Sequence, residues 1–462
     1  MQLLRALRFA QPPPSLWDTS PKFREFWGGW EGVAFVGAGG KTTAIFQLAR
    51  ELLSTVRRPS SVIVTATTHL GVWQIPLADR HIVAESPQDI GKIAEGITLV
   101  TGGVEGERTQ PVNPDVLNGL REKAKRDGIP LLIEADGARQ KPLKAPAAHE
   151  PPIPDFVEMV IVVAGLGGLG KPVSETVFRE EEFKRISESA SQRVTAEMVV
   201  KVFAHPDGGL KNIPQGARRV ALLNQADTPE LQSIGGKMAR ELLSQFDSVL
   251  VGSLQQNNFQ TFERTAGIIL AAGESKRFGS PKQLLDWNGK PFVRQVAETA
   301  LGAGLQPVVV VTGADAAAVE SALTGLDVSI VRNENWPSGQ ASSIVAGIAS
   351  LPKNIGGCVF LLTDQPQVGT EIVQALVESH TQSLSSIIIP LVLEERRANP
   401  VLFDRVTFPD LLALTGDVGG RAIFGKHKVE FLPWHDDALL LDVDTPEDYE
   451  RMVRRNDIPP HA

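Results

Sequence analysis

Short apolar runs, each closing on a polar or small residue, recur along the chain and alternate with stretches of helical periodicity. In the first half they are residues 32–37 (GVAFVG), 61–65 (SVIVT), 130–134 (PLLIE), 160–165 (VIVVAG), 220–224 (VALLN) and 249–252. Runs that are apolar throughout, rather than alternating, predict strands buried on both faces of a parallel sheet. Helical patterns such as AIFQLARELL at 44–53 lie between several of them, which predicts a doubly wound α/β sheet. The second half repeats the theme with apolar runs at 267–270, 307–313 and 357–362 and a helical pattern at 291–303. Between the halves, residues 254–264 (LQQNNFQTFER) are polar and unpatterned. The expected organisation is a first domain over 1–255, a linker over 256–264 and a second domain over 265–462.

Composition narrows the classes. A chain of 462 residues, 42% hydrophobic and 22% charged, is globular with ample core, and its length fits about two to four domains. The net charge of −8 argues against nucleic acid as a partner, and no basic tract offsets it. One cysteine, Cys358, excludes an internal disulfide framework, and its place in an apolar run reads as a buried strand thiol. Arg5 and Arg8 interrupt the first apolar residues and Pro12 to Pro14 end them, so a signal peptide is not expected. No apolar run reaches spanning length, so the expectation is a cytoplasmic protein with small-molecule partners and no membrane.

The first candidate site follows the first run. Gly37, Gly39, Gly40, Lys41, Thr42 and Thr43 form a strand–loop–helix junction of the kind that holds phosphate on backbone N–H groups, a Lys and a hydroxyl facing Mg²⁺. The loop departs from the full phosphate-loop pattern, because Phe35 stands where the first Gly should fall. Polar residues end the later runs: Asp136 or Glu134 is placed to orient Mg²⁺ through water, and Asn224 and Asp227 sit in an NQAD segment resembling the guanine-reading element of GTPases. Asp227 either accepts from a purine's amine and ring N–H or belongs to an ordinary turn. Arg139, Lys141 and Lys144 either meet an anionic ligand or form a solvated loop. ATP or GTP is the ligand class implied.

The second site centres on residues 267–285, GIILAAGESKRFGSPKQLL. After Leu270 closes the apolar run, small residues at Ala271-Ala272-Gly273 let backbone approach a nucleotide, and Arg277 and Lys282 supply charge for a triphosphate and its leaving pyrophosphate. The run resembles the signature loop of MobA/MocA-like nucleotidyltransferases, closest to the molybdenum cofactor cytidylyltransferase branch. That resemblance implies a Rossmann-like, GT-A-like second domain, CTP as substrate, Mo-molybdopterin as acceptor and Mg²⁺ as cofactor. It places Ser342 and Ser343 over base and sugar, and sets Asn399 and the 415–421 segment on the acceptor side. Asp364 ends the 357–362 run, well placed to hold Mg²⁺. Asp442 and Asp444 share one face of a short extended stretch, with Asp444 preferred as the second ligand. Arg277, Lys282 and Asp364 are the expected catalytic residues.

The first domain also has a resemblance. GAGGKTT, VTATTHL and EADGARQKPLKAPAAHEP are similar to the YqeC-type family, a resemblance that implies an accessory role for selenium-dependent molybdenum hydroxylases. A hydroxylase or its maturation factors is therefore the implied protein partner. Two other readings stay open: a nucleotide-switched delivery protein without turnover, and a transferase acting on a sugar or alcohol phosphate.

Overall fold

Each apolar run becomes a strand because a parallel sheet covered on both faces can bury all of its side chains. The computed structural model describes residues 1–9, 32–54, 59–274, 278–392 and 396–456. They fall into two compact units, the first running to Phe262 and the second starting at Glu263. The main sheet of the first unit holds β1 (Val33–Gly37), β2 (Ser61–Ala66), β3 (Arg80–Val83), β4 (Gly96–Thr101), β5 (Leu131–Glu134), β6 (Met159–Gly165), β7 (Arg218–Asn224), β8 (Ser248–Ser253) and β9 (Asn258–Glu263). Their order across the sheet is β9-β8-β7-β6-β1-β5-β2-β4-β3. From β8 to β3 every neighbouring pair is parallel.

Strand geometry sends alternate residues to opposite faces. Ala34 and Val36 of β1 enter one core, and Val33 and Phe35 enter the other. Helix α1 (Lys41–Ser54) covers the second face with Ala44, Ile45, Leu48, Ala49 and Leu52, a spacing that keeps one stripe against the sheet. The run pattern missed β3 and β4. β3 is a half-exposed edge strand, so it carries no continuous apolar run.

The linker expected at 256–264 is a correction. Residues 258–263 form β9 on the edge of the first sheet. Phe259 packs into one core and Phe262 into the other, while the Phe259 N–H donates to Met1 O at 3.0 Å. Polar residues dominate this stretch because an edge strand needs only a few apolar anchors.

The second unit holds β10 (Thr265–Ala271), β11 (Val308–Thr312), β12 (Ser329–Arg332), β13 (Gly357–Leu362), β14 (Ile387–Val392), β15 (Arg396–Arg397), β16 (Val401–Asp404) and β17 (Val429–Pro433). β10 is central, with β11 and β13 parallel on either side and β12 beyond β11. Past β13 the direction reverses at β16, and β14 follows with β15 and β17 on it. Helices α2 (Phe292–Gly302) and α3 (Gln340–Ala349) pack on opposite faces. Residues 441–444, expected as a short extended run, belong to no strand and lead into the helix Pro446–Asn456. Among the described residues no helix is long and apolar enough to cross a membrane.

Candidate active site

Leu270 pairs in register with both Val311 and Leu362, so the loops after β10, β11 and β13 leave the sheet at one edge. Ligands of open α/β sheets bind at that kind of edge. A cleft of about 680 Å³ lies there, lined by Leu270, Ala272, Gly273, Lys282, Ser343, Asp364 and Asp444 among others. Gln283, buried at the end of the signature loop, donates to Ala271 O at 3.3 Å and Gly273 O at 2.6 Å and so fixes the loop's course. Ala271 itself is buried, and its carbonyl is occupied by Gln283.

The charged centre is compact. Lys282 Nζ lies 2.9 Å from Asp444 Oδ1 and 3.4 Å from Asp364 Oδ2. Asp364 Oδ1 is shielded from solvent and has no hydrogen-bond partner among the described residues. Burial raises the Asp364 pKa, the Lys282 ammonium opposes that, and the charge of Asp442 adds to it. Burial pulls the Lys282 pKa down, but Asp444 and Asp364 outweigh it and the net direction is up.

Asp442 faces elsewhere. It accepts from Gln365 Nε2 and lines a neighbouring cavity of about 290 Å³ together with Asn399, Arg421, Phe360, Phe403 and Phe424. Dehydration of its carboxyl raises its pKa, against the Gln365 hydrogen bond. The three aspartates therefore do not form one cluster. Among the described residues no group of three or more metal-ligating side chains is close enough to make a metal site. Arg277 lies outside the described residues.

The segment at 333–343 is organised by Asn333, which donates to Ser342 Oγ at 2.8 Å and Ser343 Oγ at 3.0 Å. Ser342 in turn donates to Gly339 O at 2.9 Å, so the hydroxyls hold the turn into α3. Gly339 has φ +113°, and a Cβ there would lie 2.6 Å from the Gly416 carbonyl oxygen.

In the first unit the glycine loop between β1 and α1 gathers the expected residues around a buried ion-pair chain. Lys41 Nζ donates to Gly37 O at 2.8 Å and sits 3.2 Å from Asp136 Oδ1; Thr42 Oγ1 donates to Glu134 Oε2 at 2.8 Å. The Gly37 N–H donates to Asp136 Oδ2 at 3.0 Å. Burial raises the Glu134 pKa, with Lys41 opposing. The chain continues through Lys144, 2.9 Å from Asp136 Oδ2 and 3.0 Å from Glu150 Oε2, to Arg179, which also pairs with Glu150. Lys144 is thus an internal ion-pair partner and not a solvated side chain. Asn224 donates to Gly39 O at 2.7 Å, whereas Thr43 and Asp227 are exposed.

A family model for the YqeC protein matches residues 33–181, and one for the MobA-like NTP transferase domain matches residues 267–431. The uncharacterized protein YqeC of Escherichia coli is 34% identical over 49% of this chain and 88% of its own length. The chain is a YqeC protein fused to a MobA-like NTP transferase. Its transferase unit is a nucleotidyltransferase. That unit is also similar to the nicotine blue oxidoreductase of Paenarthrobacter nicotinovorans, 36% identical over 40% of this chain and 95% of that protein. A "Probable molybdenum cofactor guanylyltransferase" of Bacillus cereus is 31% identical over 28% of this chain and 62% of its own length.

The YqeC unit carries a pH signature. Burial alone would raise Glu150, but hydrogen bonds and charge from Arg179 and Lys144 hold it at about 2, against an ordinary value of 4.5. A carboxylate depressed on folding stabilises above its unfolded pKa and loses that contribution as pH falls toward its folded one. Glu150→Gln should therefore lower the urea midpoint of the YqeC unit clearly at pH 6 and by much less at pH 3. An equal loss at both would sink the assignment.

Proposed function

We propose that the transferase unit moves CMP from CTP to the terminal phosphate of Mo-molybdopterin, and that the YqeC unit is a P-loop domain binding ATP or GTP in support of hydroxylase maturation. The observation that carries the first half is the pairing of two cavities at one sheet edge. One surrounds Lys282, Asp364 and Asp444, and the adjoining one is aromatic with Asn399, Arg421 and Asp442 at hand; both share Leu270, Gln340 and Leu362. A nucleotide in the first and a flat polar heterocycle in the second would meet at Leu270. On this reading the transferase unit has a GT-A-like fold.

Two carboxylates and one ammonium carry one net negative charge, an unfavourable seat for a triphosphate alone and a favourable one for a hard divalent cation. The unpartnered Asp364 Oδ1 supports the same fit. Asp364 and Asp444 would hold Mg²⁺, which when bound supplies charge neutralisation on the phosphates. The acceptor phosphate oxygen forms a bond to the α-phosphorus, the bond from that phosphorus to the β-phosphate oxygen breaks, and pyrophosphate leaves. The nucleophile is already an anion, so no side chain need take a proton. Lys282 offsets charge on the departing pyrophosphate, and the Leu270–Gly273 backbone and Ser343 position the nucleotide. CTP is favoured over GTP by Ala272, since the guanylyl branch of the resembling family carries Gly at that position.

The test is pyrophosphate release by the full chain with Mg²⁺ and molybdenum-loaded molybdopterin, comparing CTP, GTP and ATP. Release with CTP alone, together with a cytidine–pterin adduct by mass, is the expected result. The likeness to a protein named as an oxidoreductase supports a second reading, redox chemistry in the same cleft. Such a reaction releases no pyrophosphate, so the same assay separates the two.

A further inference from the structure

We propose that the YqeC unit is selective for a guanine nucleotide and that Asp227 reads the base. This rests on the reading of Lys41 and its glycine loop as a nucleotide site. β1, β6, β7 and β8 are successive parallel neighbours, so their following loops share one edge. Register sets Gly37 beside Val163 and Asn224 beside Gly165, which brings the end of β7 level with the loop after β1.

Asn224 binds the pieces together. It is 5% exposed, its Nδ2 donates to Gly39 O at 2.7 Å, and its Oδ1 accepts from the Leu254 N–H at 3.0 Å. A phosphate loop is thereby tied to the loops that follow β7 and β8. Gly40 makes room for this tie, because a Cβ there would lie 2.5 Å from Asn224 Nδ2. Gln225 adopts φ +62°, and its side-chain oxygen lies over the β6 terminus, 2.4 Å from where a Cβ of Gly165 would be. Asp227 follows with its carboxylate exposed and its backbone carbonyl held by Gln256 Nε2 at 3.2 Å. Asp227 thus follows Asn224 by three residues, on backbone tied to the glycine loop through Gly39 and to the loop after β8 through Leu254 and Gln256.

The chemistry selects the base. An ionised carboxylate only accepts hydrogen bonds. Guanine offers it two adjacent donors, N1–H and the 2-amino group. Adenine offers a bare N1 acceptor at the same place, which the carboxylate repels. Each charge-assisted hydrogen bond gained or lost corresponds to roughly 10- to 100-fold in affinity.

The experiment uses the full chain with Mg²⁺ and fluorescent N-methylanthraniloyl derivatives of GDP, ADP and xanthosine diphosphate. Wild type is compared with Lys41→Ala and Asp227→Asn. Binding that Lys41→Ala removes belongs to the YqeC unit; the remainder belongs to the transferase unit. The expected result is Lys41-dependent binding of GDP over ADP, and a switch toward xanthosine diphosphate in Asp227→Asn. A carboxamide can donate to the 2-oxo group of xanthine while accepting from N1–H, and a gain of this kind cannot come from misfolding. Lys41-dependent binding of ADP and GDP alike, unchanged in Asp227→Asn, would overturn guanine selection and leave the nucleotide site standing. If no Lys41-dependent binding is seen for any probe, the nucleotide reading fails and takes this proposal with it.

Discussion

Asp364→Asn should cut pyrophosphate release by about 10²- to 10³-fold without loosening the fold, the scale expected when one charge-stabilising group is removed from a transferring phosphoryl centre. The amide keeps the size of the carboxyl group but removes one of the two negative charges around Lys282, leaving Lys282 on Asp444 at 2.9 Å. Stability should move the other way, if it moves. Burial raises the Asp364 pKa above its ordinary value of 3.8. A carboxylate raised on folding costs stability as pH climbs through its unfolded pKa, so at neutral pH the ionised form is a burden that a neutral amide relieves. Turnover lost with Tm unchanged or slightly higher marks Asp364 as a group kept for chemistry. Turnover within threefold of wild type would remove it from the site, and a fall in Tm alongside lost turnover would recast it as structural.

Lys144→Met should be the most destabilising single change in the YqeC unit. The Lys144 side chain is 2% exposed and lies between Asp136, also 2% exposed, and Glu150. It also donates to Gly137 O at 2.8 Å. Methionine matches the stem in volume but removes the cation that joins the buried Asp136 to the partly buried Glu150, leaving Asp136 beside Lys41 and Glu150 beside Arg179. Breaking a buried pair from one side typically costs about 3–5 kcal/mol, which in a unit of this size lowers Tm by roughly 10 °C. Calorimetry of the full chain should show the shift in one of two transitions, with the transferase transition unmoved. A shift under about 2 °C would mean that water compensates the carboxylates. The same variant should weaken binding at Lys41, since Asp136 is the carboxylate that Lys41 and Lys144 share.

The candidate residues were readable one by one from their local setting. Loops rich in small residues after apolar runs, Lys41 and Thr42 at a helix start, and Asp364 at a strand end all announce themselves locally, because backbone geometry there depends on near neighbours. The residues that shape those loops were less visible. Gln283, Asn333 and Gln365 lie within the recognised segments without a role read for them, yet Gln283 holds backbone, Asn333 two hydroxyls and Gln365 a carboxylate in place. Glu150 and Arg179 were not singled out, since a carboxylate in a proline-rich loop and an arginine 29 positions later look like solvated surface.

The chain itself determined the central strands of each sheet, the two family memberships and the sheet edge on which the candidate residues fall, since these follow from local periodicity and short motifs. Tertiary structure alone decided which charges meet. It gave Asp444 rather than Asp442 to Lys282, across 162 positions. It turned Lys144 inward between two carboxylates, and converted the polar 258–263 stretch from connector to edge strand. The physical reason is common to all three. The energy of a charge or of an unpaired backbone edge is set by what surrounds it after folding, and the partners that supply that environment are distant in sequence.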